Sequence, residues 1–232
     1  MELTLVFDGQ ALHSKFHVGW GFSCYLHGMG LLFDTGEDGP KLLHNLEVLS
    51  IPLNEIHSLF LSCEHFEHAG GIWGVIQRNP KISLFLPESI SEEFKEQVDS
   101  LGSKIIQGNG QGSLFPGIYS IEETCTRMPE QSLVIEGDRG LVVLCGCAHC
   151  GIDRPVRRVA GEFSSKIDLV VGGFHLFDST PKKIEQVIES FQALGIHRVA
   201  PCHCTGPRAR MMFNEAYEDQ FIDLVVGSRI QI

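Results

Sequence analysis

Four apolar runs in this chain each end in side chains suited to holding a metal ion: Leu59-Phe60-Leu61-Ser62-Cys63-Glu64-His65-Phe66-Glu67-His68, Leu141-Val142-Val143-Leu144-Cys145-Gly146-Cys147-Ala148-His149, Leu169-Val170-Val171-Gly172-Gly173-Phe174-His175 and Val199-Ala200-Pro201-Cys202-His203. Each reads as a buried strand that delivers a donor at its C-terminal end. In α/β proteins that is where loops from several strands converge and sites are built. Imidazoles, thiolates and a carboxylate together suit zinc or iron far better than magnesium or calcium. Alternate residues leaving a strand point the same way, so Cys63 and His65 are placed to grip one ion. Glu67 and His68, past the turn into a helix, are placed to face a second. Gly70-Gly71 lets the helix start lie tight against the sheet.

The elements that must position these residues follow from periodicity. Strands are expected at Leu3–Phe7, Phe22–Leu26, Leu31–Phe33, Leu59–Ser62, Ile82–Leu86 and Lys104–Gln107. Further strands are expected at Gly117–Ile121, Ser132–Glu136, Leu141–Cys145, Lys166–Gly172, Arg198–Pro201 and Phe221–Val226. Asp138-Arg139-Gly140 marks a hairpin turn. Helices are expected over Pro40–Leu49, from near His68 to about Gln77, over Ser91–Leu101 with Ser91 as cap, from Thr180-Pro181 to Gly195, and from Gly206 to about Tyr217. A strand-rich centre flanked by helices argues for two sheets covered by helices. No repeat or linker divides residues 1–232, so a single domain is expected.

A net charge of −11 with no long basic cluster argues against nucleic acid. A 43% hydrophobic share, with no window of membrane-spanning length, argues against a membrane partner. The N-terminus lacks a signal-peptide pattern, which makes the cytoplasm the default. Of the eight cysteines, six (Cys63, Cys145, Cys147, Cys150, Cys202 and Cys204) lie within four residues of a candidate histidine; Cys24 and Cys125 do not. In a chain of this size that placement points to site chemistry before disulfide staples. Buried hydrophobic thiols are the plainer reading for Cys24 and Cys145.

These motifs, from near residue 20 to about 206, resemble the metallo-β-lactamase superfamily, whose first motif is HxHxDHxGG with single ligands at later strand ends. The finer resemblance is to the branch containing the methanopterin-pathway dihydropterin ribofuranosyl-aminobenzene phosphate synthases. It rests on Leu32-Phe33-Asp34-Thr35-Gly36, Gly146-Cys147-Ala148-His149-Cys150-Gly151-Ile152, Val171-Gly172-Gly173-Phe174-His175-Leu176 and Pro201-Cys202-His203-Cys204-Thr205-Gly206. The resemblance implies an α+β fold, a four-layer αββα sandwich over residues 1–232.

It also implies roles. His65 and His149 match ligands of a first metal, and His68 and His203 match ligands of a second. His175 stands where many members place a bridging Asp. Asp34 matches a buried acid that orients the site by hydrogen bonding. Cys63 replaces the first His of the motif, and Glu67 replaces the Asp that helps hold the attacking water. The ligand set is then Cys63, His65, Glu67, His68, His149, His175 and His203, with Glu67 and His175 at the reacting centre. The implied cofactor is zinc, one or two ions, with iron or manganese as alternatives. The implied partner is a small anionic or heterocyclic substrate, for which Arg154 and Arg208 are the candidate anion contacts.

Two chemistries follow from the resemblance: hydrolysis by a metal-activated water, or a pterin-type transfer with pyrophosphate as leaving group. The competing classes are an iron or thiol redox or metal-sensing protein, and a non-catalytic ligand-binding relative with a degenerate site.

Overall fold

The structure, a computed structural model, describes residues 1–107, 111–123 and 129–232. Its internal contacts divide the chain into two compact units, Met1–Gly110 with Val225–Gln231, and Gln111–Leu224 with Ile232. Cys125 lies outside the described residues.

The first unit is built on a seven-stranded sheet. Its strands are β1 (Glu2–Phe7), β2 (Ser23–Leu26), β3 (Leu31–Phe33), β4 (Ser58–Phe60), β5 (Ser83–Leu86), β6 (Lys104–Gln107) and, from the end of the chain, β13 (Arg229–Gln231). The order is β13-β1-β2-β3-β4-β5-β6. The pairs from β13 to β3 are antiparallel and those from β3 to β6 are parallel. Parallel neighbours need crossovers, supplied here by helices.

Helix α1 (Gly39–Val48) opens on Asp38, whose carboxylate accepts the Lys41 N–H at 2.9 Å, with Pro40 in the first turn. Leu42 and Leu46, four apart, bury one face of it. Helix α4 (Glu92–Ser100) is capped by Ser91, whose hydroxyl accepts the Phe94 N–H at 3.2 Å. Phe94 and Val98 join Leu59, Leu84 and Leu86 of the sheet in one apolar core.

The helix expected from near His68 is two pieces, α2 (Phe66–Ala69) and α3 (Ile72–Arg78). The break falls at Gly70-Gly71. A Cβ at Gly70 would sit 2.5 Å from the Glu37 carbonyl oxygen, and one at Gly71 2.4 Å from that of Thr35. The glycines therefore admit the loop after β3, where close packing onto the sheet itself was expected.

The second unit repeats the plan. Its strands are β7 (Gln111–Phe115), β8 (Ile118–Glu123), β9 (Glu130–Gly137), β10 (Gly140–Cys145), β11 (Ile167–Gly173) and β12 (Arg198–Cys202), in the order β12-β11-β10-β9-β8-β7. The expected hairpin is present as the antiparallel pair β9–β10, and β10, β11 and β12 run parallel. Helices α5 (Asp153–Glu162) and α6 (Pro181–Ala193) make the crossovers, and α7 (Pro207–Tyr217) follows β12.

Thr180 caps α6 by accepting the Lys183 N–H at 3.3 Å, and Ile184, Val187, Ile188 and Phe191 form its buried stripe. Phe174, Phe191 and Phe213 meet at ring separations of 5.4–5.9 Å, tying α6 and α7 to the residue that follows β11.

The strand expected at Phe221–Val226 does not form. Phe221 and Val226 make single bridges only, to Val199 and Ala11, and the final strand is β13. No helix among the described residues is long and apolar enough to cross a membrane.

Candidate metal centre

In the first unit the site begins where β3 ends. Asp34 has φ +52°, in the left-handed region that Asp tolerates better than most residues. Its N–H donates to the Phe60 carbonyl at 2.8 Å, and its carboxylate is fully buried. Three donors converge on that carboxylate, each at 2.7 Å: the Ser62 N–H, the Ser62 hydroxyl and the His68 ring at Nδ1. Thr35 adds two 2.8 Å bonds to the His68 carbonyl, one from its N–H and one from its hydroxyl.

His68 is thus clamped by ring and by backbone. A proton held on Nδ1 by a carboxylate leaves Nε2 with a lone pair, which is the tautomer of a metal ligand. Cys63 is buried just beyond β4, and its Sγ lies within 4.8 Å of a ring nitrogen of His65. Glu67 Oε1 stands 3.9 Å from His65 Nδ1.

In the second unit the loop after β10 carries Cys147 and His149. His149 Nδ1 lies 3.0 Å from a carboxylate oxygen of Glu130, the first residue of β9, whose other oxygen receives the Cys150 N–H at 3.4 Å. Glu130 is 4% exposed, so an acid in an apolar strand is accounted for by its histidine partner. This is a second carboxylate–imidazole pair that aims Nε2 outward.

Cys147, His175 and Cys204 form one cluster whose donor atoms all lie within 4.8 Å of one another. The two sulfurs are 2.9 Å apart, and the Cys147 Sγ is 3.3 Å from His175 Nδ1. The His175 N–H donates to the Cys204 Sγ at 3.3 Å. Burial pushes the Cys204 thiol up, but hydrogen bonds from the Cys147 thiol, the His175 ring and the His175 backbone, with the imidazole charge, bring it down to about 6. A ring nitrogen of His203 also lies within 4.8 Å of the Cys147 Sγ.

Glycines make room for this cluster. A Cβ at Gly172 would meet the Cys145 carbonyl oxygen at 1.9 Å, and one at Gly173 would meet the Cys204 Sγ at 2.7 Å. Cys145 is a buried core thiol, raised to about 12 chiefly by its burial. Cys150 is disulfide-bonded, although its place beside His149 was read as pointing to site chemistry before disulfide staples.

An open groove of about 380 Å³ is lined by His149, Arg154, His175 and Lys183, among others. Arg154 pairs loosely with Glu123 at 3.6 Å, and Arg208 is exposed in the first turn of α7. Glu130 and Lys183 are therefore candidate site residues that the sequence did not single out. The sequence signal for Glu130 was an acid at the head of a strand that is otherwise buried. The imidazole, thiolate and carboxylate donors of both units fit a borderline or soft divalent cation and not magnesium or calcium.

No family model matches the chain. Its fold is that of the metallo-β-lactamases, an α+β arrangement of two mixed sheets with helices. It aligns with Tm1679, a metal-dependent hydrolase of the β-lactamase superfamily, at a TM-score of 0.85 and 26% identity over 100% of this chain and 99% of that one. The metallo-β-lactamase fold protein YhfI from Bacillus subtilis aligns at 0.73 with 12% identity, again over 100% and 99%.

In sequence the chain is 27% identical to the 7,8-dihydropterin-6-methyl-4-(β-D-ribofuranosyl)-aminobenzene-5′-phosphate synthase of Methanocaldococcus jannaschii, over 87% of this chain and 84% of that protein. The resemblance to that branch therefore holds. A shorter stretch, 41% of this chain and 38% of the other, is 32% identical to the anti-Pycsar protein Apyc1 of Bacillus phage 010DV004.

Proposed function

We propose that this protein is a metal-dependent enzyme of the metallo-β-lactamase superfamily, hydrolase-like or transferase-like, acting on a small anionic or heterocyclic substrate. The observation that carries the reading is the pair of carboxylate-clamped imidazoles, His68 on Asp34 at 2.7 Å and His149 on Glu130 at 3.0 Å. Proteins hold histidines this way to fix the tautomer and ring orientation of metal ligands. In this reading Cys63, His65, Glu67, His68, His149, His175 and His203 supply the ligands, and zinc is the favoured ion. When bound, the metal supplies Lewis acidity: it polarises an electrophilic oxygen and brings the pKa of a water towards neutrality.

The chain's own residues do the rest. Asp34 and Glu130 keep protons on Nδ1 of His68 and His149, so both Nε2 atoms stay acceptors. Glu67 takes the place of the family's Asp and receives the nucleophile's proton at its carboxylate. Arg154 and Lys183, in the groove with His149 and His175, offset the charge of an anionic substrate. Ester, lactone, thioester and phosphoester hydrolysis fit this machinery. A pterin-type transfer with pyrophosphate as leaving group fits it as well, because both reactions need developing negative charge held on oxygen.

The test is elemental analysis of protein purified without oxygen, with turnover of lactones, thioesters, phosphodiesters and a pterin pyrophosphate. The expected result is bound zinc or iron and turnover of one of these classes. His65→Ala with His149→Ala should lose both turnover and part of the metal. A double variant with unchanged metal content and unchanged turnover refutes the assignment.

A further inference from the structure

We propose that the second unit carries a metal site of its own, in which the thiolates of Cys147 and Cys204 and Nδ1 of His175 hold a soft or borderline cation such as Zn²⁺, Cd²⁺ or Cu⁺. The ligand roles implied by the resemblance leave both thiols without a job and place His175 at a bridging position. The local geometry gives all three a common one.

The three donors come from three loops at the ends of neighbouring parallel strands: Cys147 after β10, His175 after β11 and Cys204 after β12. Their donor atoms lie within 4.8 Å of one another. Tetrahedral zinc with Zn–S bonds of about 2.3 Å and Zn–N bonds of about 2.0 Å sets its donors roughly 3.5–3.8 Å apart. The His175 Nδ1 to Cys147 Sγ distance is 3.3 Å and the sulfur pair stands at 2.9 Å, so small side-chain rotations open the cluster to that geometry.

The surroundings are built for the thiols. Gly173 has no side chain where a Cβ would strike the Cys204 Sγ at 2.7 Å and the Cys147 Cα at 3.2 Å. The Cys204 carbonyl receives the N–H groups of Leu176 at 3.2 Å and Phe177 at 3.1 Å, and Thr205 Oγ1 receives that of Phe174 at 3.0 Å. The loops after β11 and β12 are thereby laced together on either side of His175. Both cysteines are buried, whereas His175 is exposed, which gives an ion an entry path and leaves the fourth coordination position to an exogenous ligand.

A simple disulfide device would use the two sulfurs and leave the imidazole idle. The third donor is what favours a cation. Two thiols and one imidazole form the soft, nitrogen–sulfur set that selects zinc, cadmium or cuprous copper over hard cations. Binding releases whatever proton each sulfur still carries and involves no change of oxidation state.

The site shares His175 with the ligand set of the proposed function, and its Cys147 Sγ lies within 4.8 Å of a ring nitrogen of His203, so the test removes two other ligands of that set to separate the two. The full chain carrying His65→Ala and His149→Ala is stripped with chelator under reducing, oxygen-free conditions and titrated with Cd²⁺. Uptake is followed by the ultraviolet thiolate-to-metal charge-transfer band. The expected result is a saturating band for two thiolates that Cys63→Ser leaves unchanged and that Cys147→Ser with Cys204→Ser abolishes. His175→Ala should weaken binding about tenfold or more while keeping the band.

A band that disappears with Cys63→Ser and survives the other pair overturns the proposal. So does a stripped protein that takes up no Cd²⁺ while its folded circular dichroism is intact. Finding Cys147 and Cys204 joined in a disulfide that reductant cannot open to Cd²⁺ overturns it equally.

Discussion

Asp34→Asn tests the step by which, in the proposed function, the fold prepares His68 to act as a metal ligand. Asn is nearly isosteric with Asp and tolerates the left-handed backbone at φ +52° equally well, so neither volume nor backbone strain changes. The hydrogen-bond polarity does change. Three donors, the Ser62 N–H, the Ser62 hydroxyl and His68 Nδ1, point at the carboxylate from 2.7 Å, and all of these groups are buried.

The backbone N–H of Ser62 cannot reverse, so the amide oxygen of the substituted side chain must face it. The amide NH₂ then faces the hydroxyl, which can rotate to accept, and His68, which can accept only by moving its proton from Nδ1 to Nε2. The ring then presents an N–H where a ligand's lone pair is needed. Loss of a charge-assisted bond costs about 1.5–3 kcal/mol of stability, or a fall of roughly 3–12 °C in the unfolding midpoint of a chain this long. The loss of metal affinity should be about 10–100-fold, equal to about 1.4–2.8 kcal/mol.

The assays are thermal unfolding of the metal-free protein and competition for Zn²⁺ against a chromophoric chelator. The competition is run in a background lacking the Cys147 and Cys204 thiols, and long-range ¹H–¹⁵N spectra report the His68 tautomer. An Asp34→Asn protein with unchanged Zn²⁺ affinity and the proton still on Nδ1 would refute the reasoning.

Two further predictions concern packing and titration. Gly173→Ala places a methyl 2.4 Å from the Gly146 carbonyl oxygen and 2.7 Å from the Cys204 Sγ. With backbone on one side the clash cannot be relieved by a rotamer, so the expected cost is about 1–3 kcal/mol; a parental urea midpoint would contradict it. Tyr217 is buried, and its hydroxyl has no hydrogen-bond partner among the described residues. Burial raises the Tyr217 pKa above the ordinary value of 10.0. For an acid raised in the folded state, the stabilising contribution is whole below the unfolded pKa and is lost as pH climbs towards the folded one. Tyr217→Phe should therefore keep or raise the neutral-pH midpoint and flatten the decline above about pH 10; a large loss at neutral pH would show that the hydroxyl has a partner.

Periodicity revealed most of the scaffold because most of the strands carry short apolar runs and helices α1, α4 and α6 carry explicit side-chain caps. Leu31–Phe33 and Lys104–Gln107 fall on their expected bounds, and Ser91 and Thr180 cap the helices they were expected to open. The failures have local causes. Phe221–Val226 is apolar enough for a strand, but its ends pair singly with Val199 and Ala11, so no ladder can propagate. One expected helix splits at Gly70-Gly71 because the carbonyls of Thr35 and Glu37 occupy the space beside those glycines. Glu130, and the pairing of Cys204 with Cys147 and His175, were hidden for a different reason: the partners are far apart in sequence, and no spacing rule encodes a partner brought near by sheet order.

Backbone conformation adds information that no residue type announces. Six described residues other than glycine have positive φ, and four of them, Asp34, Ala148, His175 and His203, lie in the loops that carry the candidate ligands. Each follows the C-terminal end of a strand, where the chain must turn sharply while its side chain or its neighbour's stays aimed at one point. Holding a residue in that region costs of order 1–3 kcal/mol and persists only where surrounding contacts over-determine it.

Three of these positions show how. Asp34 is held by its carboxylate network. His175 is held by the bond from its N–H to the Cys204 Sγ. The Ala148 carbonyl receives the Gly151 N–H at 2.9 Å. A chain using these loops only as connectors would be more stable with glycine at such positions. Strain concentrated at Asp34 and His175, with nearby contacts aiming their donors, is what the proposed metal centre requires: ligand geometry held at the expense of local stability.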